Sequence, residues 1–407
     1  MKRNRPQPGT PAFRLMIATA WLAPDSWRQH QELAIRQAIA AQPDWNEYLA
    51  LIDRHRTPTL SYASLSRVHR IPAPPQILHA LQLRNHAARL QALQLSAELL
   101  HALKLFALAE IPVTPLKGPI LSHELYGDIG MRHVKDIDLE VPREHLLRAQ
   151  KCLAAAGWQQ LSTFFPMTPR QWQSFLQHEH SLDFTHPRTG SPLELHWNSQ
   201  WETPQEASQR WARSTTATWQ GASIQVMRPA DRTLYLCCHG SQHLWFRAKW
   251  LGDLARAHTL GMLDWDLAWD QARNSGHERV LLSTLGLLQC LFGLPVPAFA
   301  PSSRAAPSTE LVHMPLRALQ NPREPLLQVG PAKFRQRMRL TRYLRLLWPR
   351  HLRRENLSDV FYARQDFRAV PLPDSLFWLY LPLRPILWCG RWIRRIARPH
   401  ATVDPAD

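Results

Sequence analysis

Residues Leu116–Val141 read LKGPILSHELYGDIGMRHVKDIDLEV, and how this stretch is read decides the fold. Its first part ends an apolar run on Lys117-Gly118-Pro119. Glycine permits a turn and proline suits the first turn of a helix, so TPLKGPILSHELYG is expected to run strand, glycine turn, helix start. Its last part, DIDLEV, alternates acidic and apolar residues at the period of a strand. Residues two apart in a strand share a face, so Asp136 and Asp138 are expected side by side while Ile137 and Leu139 enter a core. Neighbouring carboxylates repel unless a cation lies between them or one takes up a proton. Mg2+, a hard ion that takes oxygen ligands and works alongside phosphates, meets that need. Backbone N–H groups at the glycine turn can bind phosphate oxygens, and Lys117 and Arg132 add positive charge on either side of the helix.

Working outward, REHLLRAQKCLAAAGW has helical periodicity and stops at Gly157. SLDFTHPRTGSPLELHW sets a Pro- and Gly-containing turn between two alternating runs, which predicts an antiparallel hairpin. In-line phosphoryl transfer on metal ions calls for a third carboxylate, and this hairpin offers Glu194 and Asp183. Glu194 shares its side of PLELHW with His196, while Leu193 and Leu195 face the other way.

The rest of the chain is expected to be helical. Residues 1–109 read as an N-terminal helical region, 110–228 as the α/β core, 229–300 as a helical domain completing a cleft, and 301–407 as a linker with a basic, aromatic helical tail. The class is therefore α+β, a small mixed sheet flanked by helices. The apolar run LMIATAWLA, Leu15–Ala23, follows basic residues as in a signal peptide, but it is short and no A-x-A site follows, so a buried first helix is the better reading. Pro295–Glu310 is a proline- and serine-rich linker.

The 407 residues carry 49 Lys and Arg against 32 Asp and Glu, a net charge of +17, which favours phosphate-rich partners. The five cysteines form no CxxC pair, which points to a reducing compartment, the cytoplasm, and away from a disulfide framework or a zinc ribbon. No stretch is apolar and long enough to span a bilayer. Ser375–Ala397 comes nearest. It is expected to pack its aromatic side on the protein, with peripheral contact at the inner membrane surface as the alternative. In CCHGSQHLWFRAKW, His239 and His243 share a helical face near Cys238, but the glutamate of a zinc protease motif and a third ligand are both missing. Lys249 and Asp253 stand at i,i+4, the spacing of an ordinary helical ion pair.

The ordered set LKG, LYGDIGMRHVKDIDLEV, LELHW and CCHGSQHLWFRAKWLGDLARA resembles an uncharacterised bacterial nucleotidyltransferase family of the polymerase-beta-like superfamily, over roughly Leu81 to Leu294. The resemblance implies a Mg-nucleotide site with two ions during catalysis, held by Asp136, Asp138 and, as third acid, Glu194. It also implies that the helix of His239, His243 and Lys249 packs beside the nucleotide, joining Lys117, Gly118, Arg132 and His196 as binding residues. Transfer of a nucleoside monophosphate from an NTP, with pyrophosphate leaving, is then the expected activity. The superfamily more often has Gly-Ser in the turn, with DxD about a dozen residues on, whereas here Asp136 follows Gly118 by 136 − 118 = 18 residues. The Lys-Gly turn is similar to that of abortive-infection toxins, which transfer nucleotides to tRNA ends. The acceptor is thus open among tRNA, a biosynthetic small molecule and a peptide, and a non-catalytic scaffold is the remaining alternative.

Overall fold

The computed structural model describes residues 9–71, 73–161, 165–298, 309–321, 331–348 and 364–397. The chain opens with helices α1 (Pro11–Thr19), α2 (Asp25–Ala40), α3 (Trp45–His55), α4 (Pro58–Ser66) and α5 (Pro75–Leu108). The run that resembles a signal peptide supplies α1, capped by Thr10 and packed on nearly every side. Thr19 joins it to its neighbours, since its hydroxyl lies 3.1 Å from both Tyr48 Oη and Ser61 Oγ.

The α/β part follows as β1 (Thr114–Pro115), α6 (Gly118–Tyr126), β2 (Ile137–Glu140), α7 (Leu146–Ala155), β3 (Gln159–Gln160), α8 (Pro169–His178), β4 (Ser181–Thr185), β5 (Pro192–His196), α9 (Pro204–Arg213), β6 (Thr215–Trp219) and β7 (Ala222–Val226). Five strands form a small mixed sheet in the order β1-β2-β5-β4-β3, in which β2 and β5 run parallel and the other pairs antiparallel. The predicted hairpin is β4–β5. A second, unpredicted hairpin is β6–β7, joined at Gln220 and Gly221, whose positive φ angles make the two-residue turn that matches strand twist. Helices return as α10 (Pro229–Gln242), α11 (Ala248–Thr259), α12 (Trp265–Ser275), α13 (Glu278–Phe292), α14 (Thr309–Gln320) and α15 (Pro331–Leu347), and a last helix spans Tyr380–Ala397. Most of the Pro295–Glu310 linker lies outside the described residues.

Two apolar cores organise these elements, and α5 contributes to both. Its first turns, with Ile77 and Leu81, join α1 to α4 and the later helices. Its second half, from Leu95 to Phe106, lies under the sheet. There Ile137, Leu139, Leu182, Phe184, Leu193 and Leu195 fill one sheet face, as strand alternation requires. The acidic and histidine residues between them must then face the other way. That opposite face looks into a cavity whose other walls come from α10, α11 and the turn between them, and α11 sits so close to the end of α1 that a Cβ on Gly252 would come within 2.2 Å of the Ala20 carbonyl oxygen.

Candidate active site

The parallel pairing of β2 with β5 sets Asp138 directly beside Glu194, and the antiparallel pairing of β5 with β4 sets Glu194 beside Asp183. Three acids therefore stand in a row across three strands. Of the two candidates for third carboxylate, Glu194 adjoins Asp138 and Asp183 is one strand further away. His196, two residues along from Glu194, shares this face, and its Nε2 lies 3.3 Å from Glu194 Oε2 and 3.6 Å from Asp138 Oδ1. Neither contact is aligned as a hydrogen bond. Among the described residues, Asp138, Glu194 and His196 form a group whose ligand atoms all lie within 4.8 Å of one another, so each offers a donor to one cation.

Asp136 falls one residue before β2 and stands outside that group, although it lines the same cavity. The strand thus starts one residue later than the alternation of DIDLEV predicts, and His196 replaces Asp136 as the third close donor.

Lys117 arrives by backbone pairing. Leu116 N–H donates to the Asp138 carbonyl at 3.0 Å, which extends the β1–β2 ladder and brings Lys117 Nζ to 3.3 Å from Asp138 Oδ1. The chain then turns at Gly118, whose φ of +74° favours glycine, into α6 with Pro119 in its first turn. Gly118 is buried behind the cavity wall, so of the ten residues expected at the site it is the one that does not line the cavity.

The electrostatics of the site follow from this crowding. Burial opposes charge on Asp138, but Lys117 and His196 outweigh it and hold the carboxyl far below the usual carboxylate range. Burial likewise opposes protonation of His196, and Asp138 and Glu194 still push its pKa up to about 9. Contact with His196 lowers Glu194, whereas burial and the Asp138 charge raise Asp136.

These groups line a cavity of about 320 Å³. Its wall carries six cations, Arg56, Lys117, Arg132, Lys135, Arg247 and Lys249, against three carboxylates, Asp136, Asp138 and Glu194. Burial and the neighbouring Arg132 hold Lys249 well below its ordinary pKa, so an anion that enters would favour its charged form. An aromatic wall closes one side: His243 stacks on Trp250 with ring centroids 5.2 Å apart, and His239 and Phe246 meet Trp250 edge-on.

One expectation is corrected. Lys249 and Asp253 do not form the i,i+4 pair. Asp253 is instead bound by Arg132 at 2.8 Å, and Lys249 donates to the His133 carbonyl at 3.3 Å. Asp253 points at the loop before β2, where Arg132 is already buried and needs a counter-charge. Several lining residues were not foreseen. Trp250, Phe246 and Arg247 lie within a motif already singled out, but Arg56 comes from the end of α3, and nothing in its local sequence connects it to the site.

Buried histidines give the fold an acid limit. His133 is pushed down to about 3 by burial and by Lys249, and burial with Arg54 holds His55 well below its ordinary value. Each is neutral when folded and takes a proton near pH 6.5 when unfolded. Their contribution is therefore intact above about pH 6.5 and declines as pH falls, by about 1.4 kcal/mol per pH unit for each. Urea midpoints measured from pH 7 to 5 should show that slope, and His133→Asn should remove one histidine's share. An unchanged acid slope in the variant would rule out this assignment.

Residues 41–293, well over half of the chain, match the model of a family described as uncharacterised nucleotidyltransferase. The match begins upstream of Leu81, where the motif resemblance starts, and takes in every lining residue named above. Neither the curated proteins nor the solved structures gave a match.

Proposed function

Because the chain belongs to this uncharacterised nucleotidyltransferase family, we propose that it uses Mg2+ to move a nucleoside monophosphate from an NTP to an acceptor hydroxyl or phosphate. The acceptor oxygen bonds to the α-phosphorus, the bond from that phosphorus to the β-bridging oxygen breaks, and pyrophosphate leaves. The observation that carries this reading is the Asp138–Glu194 register, two carboxylates side by side at the floor of a cation-lined cavity.

The donors suit a hard ion, because Asp136, Asp138 and Glu194 all offer oxygen. In this reading Mg2+ would be held by Asp138 and Glu194, with Asp136 lining the same cavity just outside that group, and would supply Lewis acidity at phosphate oxygens and a more acidic attacking hydroxyl. His196 is a nitrogen donor that Mg2+ takes less readily, and its work is to hold Asp138 and Glu194 in place. Lys117, Arg247 and Lys249 would neutralise the triphosphate, and Lys249 gains most because it is buried with too little negative charge. The His243–Trp250 stack offers a flat face to a base.

The test is transfer of label from each NTP with Mg2+ present, using total tRNA in one arm and cell extract in the other. Label in the α-phosphate should reach an acceptor and label in the γ-phosphate should appear in pyrophosphate, with both signals lost in EDTA. Transfer of γ-label would make the reaction a kinase's, and absence of NTP binding by equilibrium dialysis would overturn the reading altogether.

A further inference from the structure

We propose that the segment from Asp374 to the end of the last helix is a docking surface for an anionic lipid bilayer. The sequence led us to expect its aromatic side packed on the protein, and only part of it is. Phe377 and Tyr380 close on Phe367, and the Tyr380 hydroxyl donates to Val370 O at 2.6 Å and accepts from Gln171 Nε2 at 3.0 Å. These contacts seat the segment on α8. Four more large apolar side chains point to solvent: Trp378 is 64% exposed, Leu381 59%, Ile386 67% and Trp388 57%.

Helix geometry makes these a single face. Leu381, Pro385 and Trp388 form one stripe at i, i+4, i+7, and Pro382, Ile386 and Cys389 form the stripe beside it; all six are exposed. The charged residue within that span, Arg384, is turned inward onto Asp366 at 2.8 Å. Between Leu381 and Cys389 the helix thus turns its one charge inward beside the half-buried Leu383 and Leu387 and leaves an apolar face out, unlike an ordinary surface helix. Such a face calls for an apolar cover.

A bilayer fits that cover better than a protein because of the charge that the sequence carries along this part of the chain. Residues 331–397 hold 15 Lys and Arg against 4 Asp and Glu, a net +11 out of +17 for the whole chain, and the last helix itself carries Arg391, Arg394 and Arg395. Exposed tryptophans in an arginine-rich sequence suit the headgroup layer, where indole sits at the interface and guanidinium meets lipid phosphate. No helix among the described residues is long and apolar enough to cross a membrane, so this one would lie on the surface.

The test is flotation of the full chain with vesicles of phosphatidylcholine alone or mixed with phosphatidylglycerol. The chain should float with the anionic vesicles and be released by salt. Trp378→Ser with Trp388→Ser should weaken binding about tenfold or more while leaving the thermal midpoint unchanged. Equal flotation of the double variant, or no flotation with either vesicle, would overturn the proposal. So would light scattering that shows a dimer which the double variant dissociates, because the face would then belong to a second copy. None of these outcomes depends on whether the cavity transfers nucleotides.

Discussion

Asp138→Asn is expected to lower nucleotidyl transfer by about a thousandfold or more while the chain stays folded. Asp138 is the acid to which the other groups are referred. It is paired in register with Glu194, it lies 3.3 Å from Lys117 Nζ, and it shares His196 with Glu194. Asparagine keeps the shape and removes the charge, so a metal would lose an anionic ligand and Lys117 would lose its fixed partner. Asp183→Asn makes the comparison sharp. Asp183 stands next to Glu194 on the same sheet face but is exposed and lies outside the close-donor group, so its transfer should stay within about tenfold of the parent. Label transfer at saturating NTP, with circular dichroism as the control for folding, separates the two variants. Loss of activity in the Asp183 variant but not in the Asp138 variant would move the metal site one strand over.

Much of this arrangement was legible because strand alternation is a local property. DIDLEV and PLELHW each place acids on one face and branched or leucine side chains on the other, and the core beneath the sheet takes those apolar residues. Which strands pair is not local. Nothing in either run states that β2 lies parallel to β5 with Asp138 opposite Glu194, and a slip of one residue would have turned Glu194 into the core. The insertion of His196 between the two acids follows from that register and was legible only as a shared side of PLELHW. Long-range partners were hidden for the same reason: Asp253 binds Arg132 across 121 positions instead of Lys249 across four. The α5 helix was readable as a helix, but its role in two cores was not, since leucines at spacings of three and four mark apolar faces without saying what covers them. In the last helix the aromatic and apolar side chains were equally plain, and only the fold shows which of them face outward.

Glu140→Gln should separate structure from chemistry within one strand. Glu140 lies two residues beyond Asp138 on the same face, yet it is fully buried and its oxygens are already occupied. It accepts from Arg210 Nη1 at 3.1 Å, Arg210 Nη2 at 2.6 Å and Trp211 Nε1 at 3.2 Å, and Arg210 also binds Glu202 at 2.8 Å. A carboxylate spent on a forked arginine has little left for a metal. Taking away its charge leaves a buried guanidinium with one partner in place of two, a change that costs about 3–5 kcal/mol when the pair is well desolvated. Urea unfolding should therefore shift by about that amount, while transfer per folded molecule at low temperature stays within about threefold of the parent. Replacing Glu140, Arg210 and Glu202 together by Leu, Met and Gln should recover part of the lost stability, because burial of the ions is itself expensive. If Glu140→Gln instead abolished transfer without loss of stability, the strand would carry its catalytic acid two residues later than Asp138.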